Sequence, residues 1–257
     1  MERRKTDTDS ELALSITDLC LAFDEKRILE NLSLNVKSHE ILGFVGGSGT
    51  GKSVLMRAVL RLLPRQAGQV SLFGKDYDAL DPAEQLEIDK AIGVLFQHGA
   101  LFSSLTVKEN IQVPMREYLD LSQKLMDELV SLKLAMVGLP PDVANQYPAE
   151  LSGGMIKRAG LARSLALDPK LVFLDEPTSG LDPIGAAGFD ELILSLQETL
   201  GLTVFMVTHD LDSLHRICDR VAVLRHKVVL AVGSIEEVAA VDDPWIQEYF
   251  KGDRSRL

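Results

Sequence analysis

The chain has 257 residues, of which 46% are hydrophobic and 25% are charged, and its net charge at pH 7 is −11. The length allows one large α/β domain or two small ones with a substantial core, and the composition is typical of a soluble globular protein. The negative charge argues against a protein that binds nucleic acid through its phosphates, and the sequence has no apolar stretch of about 18 residues that could span a membrane.

The first part of the chain predicts strands that lead into a glycine-rich loop. Residues 1–11 are predicted to be a mobile polar tail, and apolar residues over 14–23 and 28–36 predict two strands. A short apolar run at 41–45 ends at a cluster of glycines, and helical spacing of apolar residues follows over 53–63. Strand, glycine-rich loop and helix in this order are the setting of a phosphate-binding P-loop.

Strands and helices then alternate along the chain. Strands are predicted at 69–73, 92–97, 171–174, 203–207 and 221–224, and helices at 107–118, 122–137, 154–167, 185–200 and 211–217. The runs LVFL and VFMV are nearly continuous in apolar residues, which is typical of buried parallel strands. The sequence therefore predicts a nucleotide-binding α/β body with a helical insert.

The P-loop pattern is the segment GGSGTGKS at 46–53. Its glycines allow backbone N–H groups to converge on phosphate oxygens, and the following helix adds the positive end of its dipole. Lys52 is expected to reach the β- and γ-phosphates, and the Ser53 hydroxyl to ligate Mg²⁺. The residues expected to bind nucleotide here are Gly46, Gly47, Ser48, Gly49, Thr50, Gly51, Lys52, Ser53 and Val54.

Two acidic residues follow the apolar run at 171–174. Asp175 is placed to hold Mg²⁺, directly or through water, and Glu176 to polarise the attacking water as a general base. Taken alone, this pattern favours a strand that simply ends in solvated acids. The P-loop upstream favours the catalytic interpretation.

The segment LSGGM at 151–155 resembles the signature motif of ABC-type ATPases, and LVFLDEP, SGLD and VTHD fall where that family has them. The resemblance covers about residues 12–240. It implies an α/β P-loop NTPase fold of the RecA-like type, an ABC nucleotide-binding domain with an antiparallel β subdomain and a helical subdomain. It also implies ATP and Mg²⁺ as cofactors. Residues 12–97 and 168–250 would form the ATP-binding core with its β subdomain, 98–167 the helical subdomain, and 251–257 a C-terminal tail.

The resemblance also implies roles for residues outside the P-loop. Ser152, Gly153 and Gly154 would bind the γ-phosphate of ATP held by a second copy of the chain. Small residues at a helix N-terminus suit an anion. Gln97 would sense Mg²⁺ and the attacking water, and His209 would contact the γ-phosphate.

Two further residues complete the implied site. Asp182 would lie in the loop that links the two active sites of a dimer, and Phe23 would stack on adenine, with a core phenylalanine in a strand as the alternative. The expected catalytic residues are thus Glu176, His209, Gln97 and Lys52, and the expected metal ligands are Ser53, Gln97 and Asp175.

The chain departs from the family pattern at two positions. Met155 stands where the family usually has Gln or Glu, which removes a polar contact and leaves the Ser-Gly-Gly backbone. The turn before residue 41 reads Lys-Ser-His-Glu where the family usually has a glycine. His39 is therefore expected to adopt a left-handed backbone conformation, which histidine tolerates better than β-branched residues do.

The segment LFQHGALF at 95–102 resembles the ATPases of Mla and Mce-type lipid transporters, as do VPMRE at 113–117 and DPWIQEYF at 243–250. This resemblance implies a homodimer bound to integral-membrane permease subunits at the cytoplasmic face of the inner membrane. A membrane-anchored Mce-domain lipid-binding protein is a further implied partner, and some assemblies of this type add a small STAS-domain regulator. Leu101 and Phe102 would receive the permease, or they pack into the helical insert.

Three functions are therefore open at the sequence level. The first is the ATPase subunit of a lipid transporter of the Mla/Mce type. The second is the ATPase subunit of an importer for polar solutes such as amino acids. The third is a non-transport ABC protein that acts as a switch or interaction module. A single cassette without long coiled-coil insertions disfavours the DNA-repair and translation-factor classes.

Overall fold

The computed structural model of the protein describes residues 11–24 and 26–251. Apart from Glu11 and the main chain of Lys251, the two predicted tails at 1–11 and 251–257 lie outside the described residues. Within the described ranges, no helix combines the length and the hydrophobicity that crossing a membrane requires.

The strands and helices follow each other closely along the chain. The described strands are β1 (Leu12–Phe23), β2 (Lys26–Lys37), β3 (Ile41–Gly46), β4 (Ala67–Leu72), β5 (Lys75–Asp76), β6 (Ile92–Leu95), β7 (Leu171–Asp175), β8 (Thr203–Val207), β9 (Arg220–Arg225) and β10 (Val228–Gly233). The described α-helices are α1 (Lys52–Val59), α2 (Pro82–Lys90), α3 (Val107–Tyr118), α4 (Gln123–Met136), α5 (Gly153–Ser164), α6 (Pro183–Leu200), α7 (Leu211–Ile217), α8 (Ile235–Ala239) and α9 (Pro244–Lys251).

The described strands form two sheets. One is antiparallel, in the order β2-β1-β4-β5. The other has the order β10-β9-β3-β8-β7-β6, in which all neighbours are parallel except β10 and β9. Strands β3, β7 and β8 are buried at every residue, as continuous apolar runs in a parallel sheet predict. The predicted fold class, an α/β P-loop NTPase with an antiparallel β subdomain, is confirmed.

The register of the parallel sheet brings four strand ends to one edge. Leu95 is level with Leu174, and Val207 is level with both Asp175 and Phe44. Because carboxyl ends of parallel strands meet at the same edge, the loops after β3, β6, β7 and β8 lie together. Every catalytic residue predicted from the sequence is in one of these loops or directly follows it.

Helices α3, α4 and α5 lie between β6 and β7 in the chain and pack on one another around a shared apolar core. Thr106 and Glu109 form a capping box that begins α3, and Ser122 caps α4. The buried Lys133 of α4 pairs at 2.5 Å with Asp168, which follows α5. These helices fall in the segment 98–167 for which a helical subdomain is predicted. The boundaries themselves stay a prediction.

Several helix and strand ends differ from the predicted ones. Helix α1 ends at Val59 instead of residue 63, because Arg61 adopts a left-handed φ of 59° and the N–H of Leu62 returns to the carbonyl of Arg57. Strand β6 ends at Leu95 instead of residue 97, and α5 ends at Ser164 instead of residue 167.

Five of the described helices and strands were not predicted, namely α2, β5, β10, α8 and α9. Helix α2 buries only Ile88, so its apolar period is weak, although Asp81 and Glu84 form a capping box at its start. Strand β5 has only two residues. Strand β10 follows a hairpin turn at His226 and Lys227, both at positive φ, where the usual glycine or asparagine signal is missing. By contrast, the left-handed conformation predicted for His39 is confirmed, with a φ of 65°.

Candidate functional site

The P-loop runs from the buried end of β3 to the start of α1. Gly51 has a φ of 110°, and a Cβ atom there would lie 2.8 Å from Cγ2 of Ile28, so this position requires glycine. The Lys52 ammonium group donates to the carbonyl oxygens of Gly46 at 2.8 Å and Gly47 at 3.1 Å. Burial lowers the pKa of Lys52, and the charges of Glu176 and Asp175 oppose this shift. The amine therefore points into the loop as a partly desolvated cation.

Ser53 and Asp175 meet beneath the P-loop, although they are far apart in sequence. The Ser53 hydroxyl donates to Oδ1 of Asp175 at 3.0 Å, and Asp175 is 3% exposed at the end of β7. A hydroxyl and a carboxylate oxygen are hard oxygen ligands of the kind that Mg²⁺ takes. These two of the three predicted metal ligands thus fit the ion in chemistry and in position.

Glu176 and His209 are also brought together. Glu176 adopts a left-handed φ of 49°, and its N–H donates to the carbonyl of Val207 at 2.8 Å. Oε2 of Glu176 lies 2.7 Å from Nδ1 of His209, whose side chain is 67% exposed while that of Glu176 is 13% exposed. A strained backbone at a residue of this kind is common at functional sites.

Lys157 is a residue of this region that the sequence reasoning missed. It lies on α5, is 6% exposed, and its ammonium group donates to the carbonyl oxygens of Gln97 and Glu176, both at 3.0 Å. Burial lowers the pKa of Lys157. One buried cation therefore joins the loop after β6 to the loop after β7. Lys157 lies on the same face of α5 as the buried Gly160 and Leu161, and this spacing is the sequence signal that could have indicated its burial.

The segment 151–155 lies at the start of α5. The Ser152 side chain caps the helix by accepting from the N–H of Met155 at 3.3 Å. A Cβ atom on Gly153 would meet nothing within 4 Å, and one on Gly154 would meet only Leu181 at 3.8 Å. Among the described residues, no hydrogen bond joins this segment to the P-loop. The signature glycines thus border open space in a single chain.

Phe23 and Asp182 are the two remaining predicted residues. Phe23 is 46% exposed at the end of β1, so the alternative of a core phenylalanine is wrong and its ring is accessible. Asp182 caps α6, with its carboxylate accepting from the N–H groups of Ile184 at 3.0 Å and Gly185 at 2.9 Å. Ile184, beside it, is 85% exposed.

The GALF segment at 99–102 is hydrogen-bonded through its main chain to side chains of α5 and α3. Arg163 of α5 donates to the carbonyls of Ala100 at 2.6 Å and Gly99 at 3.0 Å. The buried Asn110 of α3 accepts from the N–H of Phe102 and donates to its carbonyl. Leu101 packs against the core around the helices, whereas the ring of Phe102 is 52% exposed. Leu101 therefore packs into the helical insert, whereas Phe102 is accessible at the surface.

The chain resembles proteins of known family along nearly its whole length. The family model described as ABC transporter matches residues 29–179. A probable ribonucleotide transport ATP-binding protein, mkl, of Mycobacterium tuberculosis is 35% identical over 95% of this chain and 67% of its own length. The intermembrane phospholipid transport system ATP-binding protein MlaF of Haemophilus influenzae is 36% identical over 93% of this chain and 90% of its own length.

Two further comparisons bear on function. The methionine import ATP-binding protein MetN 1 of Pseudomonas savastanoi pv. phaseolicola is 39% identical over 82% of this chain and 62% of its own length. The dimeric ATP-binding cassette MJ0796, solved in a post-hydrolysis state bound to ADP and Pi, matches with a TM-score of 0.78 at 29% identity. The match covers 86% of this chain and 98% of that one. The chain therefore belongs to the ABC transporter family and is an ABC-type ATP hydrolase.

Proposed function

We propose that this chain is the ATPase subunit of a lipid transporter, and that it works as a dimer on a separate membrane permease. The observation that carries the chemistry is the convergence of Lys52, Asp175, Glu176 and His209 at one edge of the parallel sheet. Because these groups come from three different strand ends, their meeting is a product of the fold. A phosphoryl-transfer site needs such a set of one cation, metal-binding oxygens and a base.

Binding of ATP is assigned to the P-loop. Backbone N–H groups of 46–53 and the first turn of α1 would hold the phosphates, Lys52 would pair with the β- and γ-phosphates, and Phe23 would cover the adenine. Ser53 and Asp175 would hold Mg²⁺, with Gln97 near it, and the ion would neutralise charge on the phosphate oxygens when bound.

Hydrolysis is assigned to Glu176 and His209. The Glu176 carboxylate would accept a proton from the attacking water, since it is mostly buried and held by its backbone to β8. His209 would contact the γ-phosphate from the exposed side of the site. Lys157 would hold the main chains of Gln97 and Glu176 at a fixed distance from each other.

The signature segment supports the presence of a second copy in the site. Gly153 and Gly154 border open space within one chain, yet glycine at the N-terminal end of α5 leaves backbone N–H groups accessible to an anion. A second chain would place its nucleotide there, so that each site pairs one P-loop with the other chain's Ser152–Gly154. Asp182, at the start of α6 beside exposed Ile184, would link the two sites.

The lipid cargo rests on the segment LFQHGALF and on the similarity to MlaF over 90% of that protein's length. Phe102 is exposed, and its main-chain N–H donates to Asn110, so its side chain would be the part that contacts the permease. The chain would then be a peripheral protein at the cytoplasmic face of the inner membrane, with an Mce-domain lipid-binding protein and a STAS-domain regulator as further partners.

A second candidate is an importer for polar solutes. It is favoured by the 39% identity to the methionine import protein MetN 1, which exceeds the identity to MlaF over a shorter match. The ATPase does not touch the cargo, so its own site fits both candidates.

The deciding experiment is to purify the complex that contains this chain from membranes and to identify its subunits and bound molecules by mass spectrometry. A permease with an Mce-domain protein and bound lipid supports the lipid proposal. A permease with a solute-binding protein and no lipid supports the importer. Failure to recover any membrane subunit would contradict both and leave the non-transport alternative.

A further inference from the structure

The helix α9 is anchored to the parallel sheet at its first turn. The Asp243 carboxylate accepts from the N–H groups of Trp245 at 3.0 Å and Ile246 at 3.1 Å. Ile246 is fully buried in an apolar cluster that includes Val45 of β3 and Leu214 of α7. The position of α9 is therefore set by the same strand that leads into the P-loop.

Three aromatic side chains follow on this helix. The rings of Trp245 and Tyr249 are stacked, with centroids 4.7 Å apart and planes at 12°, and Phe250 meets Tyr249 edge-on at 5.0 Å. The Arg225 guanidinium group lies 5.6 Å from the Trp245 ring centroid and 3.6 Å from Asp243. Stacked aromatic rings of this kind hold each other in one orientation.

This aromatic group contacts one loop of the proposed ATP site and lies near another. The Tyr249 hydroxyl donates to the main-chain carbonyl oxygen of His209 at 3.0 Å. Nε1 of Trp245 lies 4.0 Å from the point that a Cβ atom of Gly47 would occupy. Helix α9 thus contacts the loop that carries the histidine and lies beside Gly47 of the P-loop.

The main chain around His209 is fixed by a small number of contacts. On one side, the Thr208 hydroxyl accepts from the N–H of Asp210 at 3.0 Å, and Asp210 then caps α7. The His209 ring is mostly exposed and is held at Glu176 through Nδ1. The carbonyl of His209 is held from α9. A shift of that carbonyl would rotate the peptide that carries the ring.

We propose that Tyr249 is a positioning residue for ATP hydrolysis, because its hydroxyl fixes the peptide of His209 and thereby the approach of the His209 ring to Glu176. Trp245 acts through Tyr249 by holding its ring. The proposal rests on the function proposed above for His209 and Glu176. It makes the C-terminal helix part of the hydrolytic machinery.

The test compares Tyr249→Phe with the matched control Tyr118→Phe, which removes a hydroxyl at the end of α3. Loss of one hydrogen bond of about 1 kcal/mol predicts a kcat about fivefold lower for Tyr249→Phe. KM for ATP should stay at the wild-type value, because the ring and its stacking remain, and the melting temperature should fall by no more than about 2–4 °C, which is what the loss of about 1 kcal/mol gives in a chain of this size. An unchanged kcat, or a loss of kcat that accompanies a larger fall in melting temperature, would overturn the proposal.

A second measurement separates this mechanism from a general effect on the fold. In a His209→Ala background, Tyr249→Phe should produce no further loss of hydrolysis, whereas an additive loss would place the action of Tyr249 elsewhere. Imidazole ¹⁵N resonances should show a shift of the His209 signal and none of the His39 signal. If His209→Ala hydrolysed ATP at the wild-type rate, the function proposed for His209 would fail whatever the result for Tyr249→Phe. Failure of the proposed function and failure of the role of Tyr249 are therefore distinguishable.

Discussion

Nδ1 of His209 lies 2.7 Å from Oε2 of Glu176, although the two residues follow different strands of the parallel sheet. The contact joins the loop after β7 to the loop after β8. Nε2 is thereby left for a partner on the exposed side of the ring.

Replacement of Glu176 by glutamine should abolish turnover and leave ATP bound. Glutamine keeps the shape of the side chain and cannot accept the proton of water, so we expect kcat to fall by about a hundredfold or more. The variant should accumulate as an ATP-bound dimer in size-exclusion chromatography. The exposed Glu191→Gln serves as control. Steady-state hydrolysis at the wild-type rate would remove Glu176 from the role of base.

Replacement of Lys157 by methionine should impair hydrolysis more than stability. Methionine fills the same volume without donating to Gln97 and Glu176. Two carbonyls lose a partner while the cost of burying a cation disappears, so the free energy of unfolding should change by less than about 2 kcal/mol. We expect kcat to fall about tenfold, because two active-site loops lose their common anchor.

The control for Lys157→Met is Lys124→Met, whose side chain is 89% exposed on α4. Hydrolysis should be unaffected in that variant. A wild-type kcat for Lys157→Met, measured at saturating ATP, would show that the lysine supports packing alone.

Introduction of aspartate at Gly153 tests the second copy. The Cβ atom of the added side chain would meet nothing within 4 Å in the same chain. A negative charge in the first turn of α5 also interacts favourably with the helix dipole, so the fold should be kept. A negative charge facing the γ-phosphate of a second chain should prevent the ATP-bound dimer and reduce hydrolysis strongly.

Ala83→Asp is the matched control, because it adds the same charge to the exposed first turn of α2. Light scattering of the ATP-bound state and the melting temperature are the measurements. Normal dimerisation and hydrolysis of Gly153→Asp would argue against a nucleotide at this helix end.

Asp190 should make stability depend on pH. Asp190 belongs to α6 and is 1% exposed. Its carboxylate accepts a hydrogen bond from Ser213 of α7 at 2.9 Å and lies 3.4 Å from the guanidinium group of Arg216. Burial raises the pKa of Asp190 to about 6, while Ser213 and Arg216 oppose the shift and Asp210 and Asp212 add to it. A raised carboxyl pKa means that the folded state binds the proton more tightly than the unfolded state.

The protonated Asp190 carboxyl therefore stabilises the folded state fully at a pH below its pKa in the unfolded chain. This stabilisation is lost as the pH rises through about 6. Relative to Asp190→Asn, the wild-type unfolding free energy should increase by roughly 1 kcal/mol between pH 7 and pH 5. Urea unfolding of both proteins at the two pH values measures this difference. A parallel pH dependence of the two proteins would contradict the assignment.

Local sequence determined the parts of the site that lie within a few residues of each other. GGSGTGKS after an apolar strand predicts the P-loop, because glycines and a following helix N-terminus are what phosphate binding requires at that spacing. The apolar run at 171–174 predicts a buried strand, and Asp175 and Glu176 at its end follow directly. His39 was correctly predicted to be left-handed, because it stands in a turn where the family that the chain resembles usually has a glycine. Periodicity failed at α2 and β10, where few residues are buried or the turn lacks its usual residues.

Tertiary structure alone decided which distant groups meet. The pair of Ser53 and Asp175 and that of His209 and Glu176 depend on strand order β3-β8-β7, which residue spacing does not encode. The same holds for Lys157 between two loops and for Tyr249 at His209. The contacts of Lys157 and Tyr249 are long-range hydrogen bonds to main-chain carbonyls, which any residue supplies. Sequence therefore determines the chemistry available at each position, and the packing of the sheet decides which groups act together.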